Sequence, residues 1–401
     1  MAIIVQKFGG SSVADAAKVN NVANRVIDTY RAGNSVVVVV SAQGDTTDDL
    51  IEKAYEINES PSKREMDMLL SSGEQISIAL LAMAIEKIGV PVVSLTGWQA
   101  GFLTNSNAGN ARIKKIDTER IKAELDQKKI VIVAGFQGLD KYENITTLGR
   151  GGSDTSAVAI AAAIHADKCE IYTDVDGVYT ADPRIVKSAK KLDEITYDEM
   201  LDLASLGANV LHNRSVEMAK KYSVKLEVKS SFEKIDGTVV KEAIAVEKML
   251  IRGVARDNDV ARIAVIGLED KPGIAFRVFS LLAKKNINVD VILQSIGRDN
   301  KKDISFTVSK GNLNEAIEIL ESEKASLSYE AITHRDDISK VSIVGAGMTN
   351  NPGVAAKMFE ALYDANINIH MISTSETKIS VLINVNNAEK AVQAIHDKFL
   401  G

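Results

Sequence analysis

Seven residues into the chain a lysine stands beside two glycines and two serines, Lys7-Phe8-Gly9-Gly10-Ser11-Ser12, between an apolar run (Ile3-Ile4-Val5) and an alanine-rich stretch able to form a helix. At a strand-to-helix turn such a group can cradle phosphate. The glycines let backbone N–H groups approach an anion, the helix start adds partial positive charge and the lysine a full one. A second glycine-rich turn, Gly149-Arg150-Gly151-Gly152-Ser153-Asp154-Thr155, opens another alanine-rich helix over 157–166. A third segment, 172–184, leaves an expected strand at 170–173 for a turn rich in carboxylates (Asp174, Asp176, Asp182) and ends on Arg184. Neither the G-x-x-x-x-G-K-[ST] loop nor the protein kinase motif set is present. The five histidines are scattered, without metal-ligand spacing. Of these, His212 is read as structural.

The elements that must position these residues read as alternating strands and helices. The valine run at 36–40 is expected to be a strand buried on both faces of a parallel sheet. Similar runs occur at 90–95 and 130–134, separated by helical segments at 74–88 and 117–127. The first part of the chain is therefore α/β with a mostly parallel sheet. Gly9, Ser41 and Gly135 each follow a strand, so the chemistry is expected along the carboxyl edge of that sheet.

A chain of 401 residues is too long for one core, and two or three domains are expected. With 48 basic against 54 acidic side chains the bulk charge implies no polyanion-binding surface, which argues against a nucleic acid partner. The single cysteine, Cys169, is expected to be buried, in keeping with a reducing compartment. The longest strongly apolar run, 76–85, is too short to span a bilayer and no signal-like segment opens the chain. A cytoplasmic protein without a membrane partner is expected.

The last third contains a repeat. Residues 272–295 and 352–375 align without a gap at an offset of 80 and are identical at ten of 24 positions. Each copy has a strand, a Pro-Gly turn (Pro272-Gly273, Pro352-Gly353), an amphipathic helix, Asn-Ile-Asn and further elements in βαββαβ order. Two copies are too few for a solenoid, so two small α+β modules packed together are expected.

The three charged and glycine-rich segments, in this order and spacing, resemble the aspartate kinase branch of the amino acid kinase family, and the likeness covers the whole chain. The repeat resembles paired ACT modules, which in many biosynthetic enzymes bind a free amino acid. The resemblance implies an amino acid kinase fold, a mostly parallel sheet sandwiched by helices, over 1–232. It also implies a linker and strand at 233–257 completing the second ACT sheet, a first ACT module at 258–333 and a second at 334–401. The implied reaction is phosphoryl transfer from ATP, with Mg²⁺ held mostly by phosphate oxygens and water, to the side chain of L-aspartate. This would be the first step toward lysine, threonine and methionine.

Residue by residue, the resemblance makes Lys7 and Asp154 catalytic, with Gly9, Gly10 and Ser11 as the phosphate loop. Ser41, Thr47 and Ser153 would line the aspartate pocket, Glu74 receive the substrate ammonium and Arg150 its α-carboxylate. From spacing alone Glu74 is instead a solvated residue at a helix start, and Asp45 or Thr46 a helix N-cap. Thr173, Asp174, Tyr179, Asp182 and Arg184 would surround the nucleotide. Effector positions would be Gly273, Ala275, Asp290 and Gln294 in one module and Met348, Val354, Ser373, Thr374 and Glu376 in the other, taking lysine, threonine or both. A homo-oligomer, dimer or dimer of dimers, through the ACT modules is implied, and Met249 offers an internal start for a separate regulatory chain.

Two departures stand out. Relatives usually carry lysine where Asn209 stands and proline where Asn213 stands; Lys225, Lys229 and Arg214 are the cations at hand to compensate. Other kinases of this family, acting on glutamate, acetylglutamate, carbamate or uridylate, and a catalytically silent amino acid sensor remain the alternatives.

Overall fold

The five valines at 36–40 have no exposed face: each is 0% accessible, with helices covering both sides of the sheet they cross. The computed structural model describes residues 1–207, 210–242, 251–295, 297, 299–346, 348 and 351–401. They fall into two units, the first made of 1–179, 190–205 and 210–242, the second of 180–189, 206–207 and the described chain from 251 onward. Asn209 and Met249 lie outside the described residues.

In chain order the first unit contains β1 (Ile3–Phe8), α1 (Ala16–Arg31), β2 (Ser35–Val40), α2 (Thr46–Ile57), α3 (Lys63–Glu86), β3 (Val92–Leu95), β4 (Phe102–Thr104) and β5 (Ile113–Ile116). It continues with α4 (Glu119–Asp126), β6 (Ile130–Ala134), β7 (Gln137–Leu139), β8 (Ile145–Thr147), α5 (Gly152–Ala163), β9 (Lys168–Thr173) and β10 (Glu194–Thr196). Helices α6 (Tyr197–Ser205) and α7 (Asn213–Tyr222) precede β11 (Leu226–Ser230) and β12 (Thr238–Lys241). The main sheet has eight strands in the order β10-β12-β11-β9-β1-β2-β6-β3. From β11 through β3 every neighbouring pair is parallel. One face of this sheet packs on α1 and α3 through Val22, Val26, Leu81 and Ile85, while α5 covers the other. The expected fold class is therefore present.

Three features differ from the sequence reading. β12 belongs to the first sheet, antiparallel to β11 and parallel to β10, so this sheet extends beyond residue 232 because Val240 finds complete burial there. A second, four-stranded sheet, β5-β4-β7-β8, is built from strands of three or four residues, too short to show a period of two. Helix α3 begins at Lys63, capped by the Ser62 side chain on the Glu65 N–H, and runs 24 residues. By length and composition it could cross a membrane, yet it carries buried Asp67 and Glu74 and sets its apolar side into the sheet core.

The second unit contains β13 (Gly253–Asp257), β14 (Ala261–Glu269), α8 (Ile274–Lys284), β15 (Ile292–Gln294), β16 (Lys301–Val308), α9 (Leu313–Ser322), α10 (Lys324–Leu327) and β17 (Ala331–Arg335). It ends with β18 (Ile338–Val344), α11 (Val354–Asp364), β19 (Met371–Thr374), β20 (Lys378–Asn384) and α12 (Ala388–Leu400). Two four-stranded sheets result, β15-β16-β14-β17 and β13-β18-β20-β19. β13 precedes the first module in the chain but hydrogen-bonds to β18 of the second, so one module is inserted in the other. Their shared frame is local. Gly273 and Gly353 start α8 and α11 with φ of 91° and 93°, and Asn286 and Asn366 end them with φ of 57° and 53° before the buried Ile287 and Ile367. Glycine and asparagine are the residues that tolerate this left-handed backbone.

Asp67 joins α3 to the small sheet, accepting hydrogen bonds from the Gly109 N–H, the Thr147 N–H and the Thr147 hydroxyl at 2.6–3.1 Å. Asp67→Ala strands these donors and is expected to cost about 2–5 kcal/mol, whereas Asp67→Asn, which keeps an acceptor, costs less. Amide hydrogen exchange provides the check: the Gly109 and Thr147 amides should lose protection first, and an unchanged pattern contradicts the assignment.

Candidate active site

β1 lies between β2 and β9, with Lys7 in register with Val39 on one side and Ile171 on the other. The chain leaves β1 toward β2 but reaches β9 on the opposite side, so strand order reverses at β1 and the loops beyond its carboxyl end form a crevice. Gly9, Ser41, Gly135 and Asp174 all lie just past strand ends at this edge. The amides of Gly10 and Ser11, first in a short 3₁₀ turn, have no intrahelical acceptor. A Cβ on Gly10 would come within 2.6 Å of the Ala42 carbonyl, so only glycine lets the two loops meet.

Lys7 reaches from β1 to the first turn of α5, where its ammonium lies 2.7 Å from Asp154 Oδ1. Both side chains are largely shielded, and Ser153 packs against Gly135 where a Cβ on that glycine would be 2.7 Å away. Below them Cys169 is fully buried, and burial, reinforced by Asp154 and Glu170, pushes its thiol pKa up and keeps it protonated.

Glu74 corrects the reading of a solvated helix start. It lies in the middle of α3, 4% exposed, because Gly73 lets the loop after β2 settle on the helix: a Cβ there would be 2.8 Å from Ala42 Cβ. Oε1 accepts the Ala42 N–H at 3.1 Å, and the buried Oε2 has no hydrogen-bond partner among the described residues. Desolvation raises its pKa to about 7, opposed by the Ala42 hydrogen bond. Thr47 sits at the start of α2 beside this loop; Asp45 occupies the cap position without a side-chain cap bond, while the Thr46 hydroxyl donates to the Gln43 carbonyl.

Arg150 is exposed just before α5, in a turn held by Gly149 and Gly151 at positive φ. Thr173 donates to Asp174 at the end of β9, and Tyr179 donates to Asp176. Asp182 and Arg184 fall on 180–189, within the second unit, where the guanidinium bonds both carboxylate oxygens at 2.8–3.2 Å and holds the Asp182 pKa down. The cations proposed to replace a lysine at 209 are otherwise engaged or distant. Arg214 donates to the Leu148 and Ala111 carbonyls, Lys229 pairs with Glu227 and Glu170, and Lys225 precedes β11 at the opposite sheet edge. Among the described residues no three carboxylate, imidazole or thiol groups gather as a metal site.

Glu170 escaped the sequence reading, although a carboxylate inside an apolar strand was the available signal. Burial alone would raise its pKa, but Lys168 at 2.5 Å and Gln6 at 2.7 Å hold it low. In the second unit, Asp290 and Ser373 line a cavity of about 190 Å³ with Lys340, Lys378 and Ser380. Lys340 already takes Asp290 at 2.5 Å and lies 3.5 Å from Asp257. Gly273 and Val354 sit at helix starts, Ala275 on α8, Gln294 on β15 and Thr374 on β19; the Met348 N–H donates to the Glu376 carbonyl.

The profile of the amino acid kinase family matches residues 2–230, and that of the ACT domain matches 263–323 and 341–399. The aspartokinase of Geobacillus stearothermophilus is 53% identical over 401 residues, covering 100% of this chain and 97% of the relative. Crystal structures of E. coli aspartokinase III superpose over the full length of both chains. The R-state complex with aspartate and ADP gives a TM-score of 0.85 at 26% identity, and the T-state complex with lysine and aspartate 0.76 at 27%.

The raised pKa of Glu74 gives a signed expectation. The native state holds a proton on Glu74 up to about pH 7 whereas the unfolded chain releases it near 4.5, so stability from this group is present below 4.5 and lost as pH rises toward 7. Between those limits the ligand-free protein should lose about 3 kcal/mol relative to Glu74→Gln. Urea unfolding of both proteins at pH 5, 6, 7 and 8 measures the difference; a constant gap would mean that Glu74 is solvated.

Proposed function

This chain belongs to the aspartokinase branch of the amino acid kinase family, and we propose that it transfers the γ-phosphoryl group of ATP to the side-chain carboxylate of L-aspartate, giving 4-phospho-L-aspartate and ADP. A carboxylate oxygen bonds to the γ-phosphorus while the bond from that phosphorus to the bridging oxygen of ADP breaks. No general base is needed, because an aspartate side chain, with a reference pKa of about 3.9, is already ionised. The obstacle is bringing an anion to a polyanion, so the protein's task is positioning and charge neutralisation.

The observation that carries this reading is the buried, unpaired Glu74 Oε2. A carboxylate held this far from water calls for a cation from the ligand, and the ammonium of a free amino acid supplies it; an N-acetylated amino acid cannot. Arg150 takes the α-carboxylate as a planar two-point donor, and Ser41, Thr47 and Ser153 complete the pocket. Lys7, held by Asp154, meets the transferring phosphoryl above the Gly9, Gly10 and Ser11 loop. Thr173, Asp174 and Tyr179 bind the nucleotide. Asp154 is committed to Lys7 and Asp174 stands at the exposed edge, a donor set that suits Mg²⁺ carried by the nucleotide rather than caged by protein. Bound there, the ion would neutralise phosphate charge.

The second unit is read as the regulator and assembly surface of a cytoplasmic enzyme. Edge strand β15 exposes Ile292, Leu293 and Gln294, and α8 exposes Phe276, a surface suited to a second copy. Lysine, alone or with threonine, is the proposed inhibitor at the positions around Asp290 and Ser373; Met249 is the proposed internal start of a separate regulatory chain.

MgATP-dependent hydroxamate formation tests the assignment. L-aspartate should exceed L-glutamate and N-acetyl-L-glutamate, and millimolar lysine, with or without threonine, should inhibit; preference for either alternative substrate contradicts the reading, and insensitivity to both amino acids reduces the second unit to assembly. Lys7→Ala should lower kcat by roughly two to three decades with a smaller change in the KM for aspartate. Near-normal turnover would remove Lys7 from catalysis.

A further inference from the structure

The turn that presents Arg150 has no side-chain cap of its own: Gly151 is the N-cap of α5 at φ 67°. Its surroundings come from α7. A Cβ on Gly151 would lie 2.2 Å from His212 Cγ, 2.4 Å from its Cβ and 2.5 Å from its Cδ2, so the imidazole occupies the face of Gly151 from which any side chain would emerge. Two residues along, Arg214 donates Nη1 to the Leu148 carbonyl and Nη2 to the Ala111 carbonyl, both at 2.9 Å. The stem of the turn is thus bonded at Leu148 and braced at Gly151, with Arg150 between.

His212 is itself held. Its carbonyl accepts the Ser215 N–H at 2.9 Å and the Ser215 hydroxyl at 2.6 Å, and α7 packs along α5. Its Nδ1 is buried without a hydrogen-bond partner among the described residues, so the ring acts here by shape. Burial, with Arg214 and Arg150 nearby, also keeps the ring below its ordinary pKa and neutral, so it adds no charge to compete with Arg150 for an anion.

We propose that His212 and Arg214 form a two-point clamp on the turn from Leu148 to Gly151, and that His212 is a positioning residue setting where Arg150 meets the α-carboxylate of the amino acid substrate. This rests on the amino acid phosphotransferase reading given above. Removing the imidazole leaves the bond at Leu148 but frees the Gly151 end. Arg150 then samples more positions, which weakens a two-point contact to a carboxylate and leaves Lys7 and Asp154 in place.

His212→Ala should raise the KM for L-aspartate roughly tenfold, with kcat and the KM for ATP within about twofold. His212→Phe, which keeps an aromatic ring against Gly151, should restore the KM to within about threefold of the parent. Amide hydrogen exchange without substrate supplies a second reading: Gly151 and Gly152 should exchange faster in His212→Ala and near the parent rate in His212→Phe. An unchanged KM in His212→Ala, parallel rises in both KM values, or unchanged exchange at Gly151 and Gly152 would each overturn the clamp. Inactivity of the parent on aspartate would instead refute the phosphotransferase reading, leaving the exchange comparison to decide the clamp alone.

Discussion

The register of β1 between β2 and β9 is the constraint on which the rest of the first unit depends. Side chains alternate between sheet faces, so Gln6 points to the α1 side, where it bonds Glu170 and Thr29, and Lys7 points to the α5 side, where it meets Asp154. A slip of one residue would either place Lys7 in the Glu170 network and Phe8 beside Asp154, or place Gln6 beside Asp154 and Val5 in the Glu170 network. The partners on each face oppose it: Glu170 and Thr29 hold Gln6 on one side and Asp154 holds Lys7 on the other, while the uniform valines of β2 would accept either register. The glycine loops then need only follow the strand ends to meet.

Much of this was legible because the signals were local. The valine run, the two glycine turns and the 80-residue repeat each declare their structure within a few residues. Glu74 did not, because its burial is made by another part of the chain: Gly73 allows the loop after β2 to cover it, and the polar half of α3 from Lys63 hides how early the helix starts. Asp67 and the small sheet were invisible for a related reason, since strands of three residues take their stability from partners distant in sequence. The assignment of 180–189 to the second unit likewise depends on contacts that no local pattern records.

The two ACT modules show how far duplication preserves structure without preserving chemistry. Their helix starts and ends keep the same glycines and asparagines at the same backbone angles. Asp290 in the first copy corresponds to His370 in the second; one is paired with Lys340, while the other accepts from Arg335 and is kept below its ordinary pKa by burial and by the neighbouring guanidinium groups of Arg335 and Arg262. Lys340 corresponds to Arg262 in the first copy, each one residue before the equivalent strand positions Ile263 and Val341. The frame sets where a side chain stands, and each copy uses the position differently.

The short excursion at 180–189 bears on how freely such enzymes can be recombined. Tyr179 and Lys191 bridge at its base, yet Ala181 and Val186 belong to the apolar core of the second unit, and the Thr180 hydroxyl shares a 2.9 Å hydrogen bond with the buried His396. A gene cut near residue 249 would therefore divide the residues of one apolar core between two chains. The catalytic fragment would retain a piece of its regulator's interior, and the regulatory fragment would lack it. Sensor modules exchanged between related kinases would have to travel with this excursion, making it a unit of inheritance that the linear map of the chain conceals.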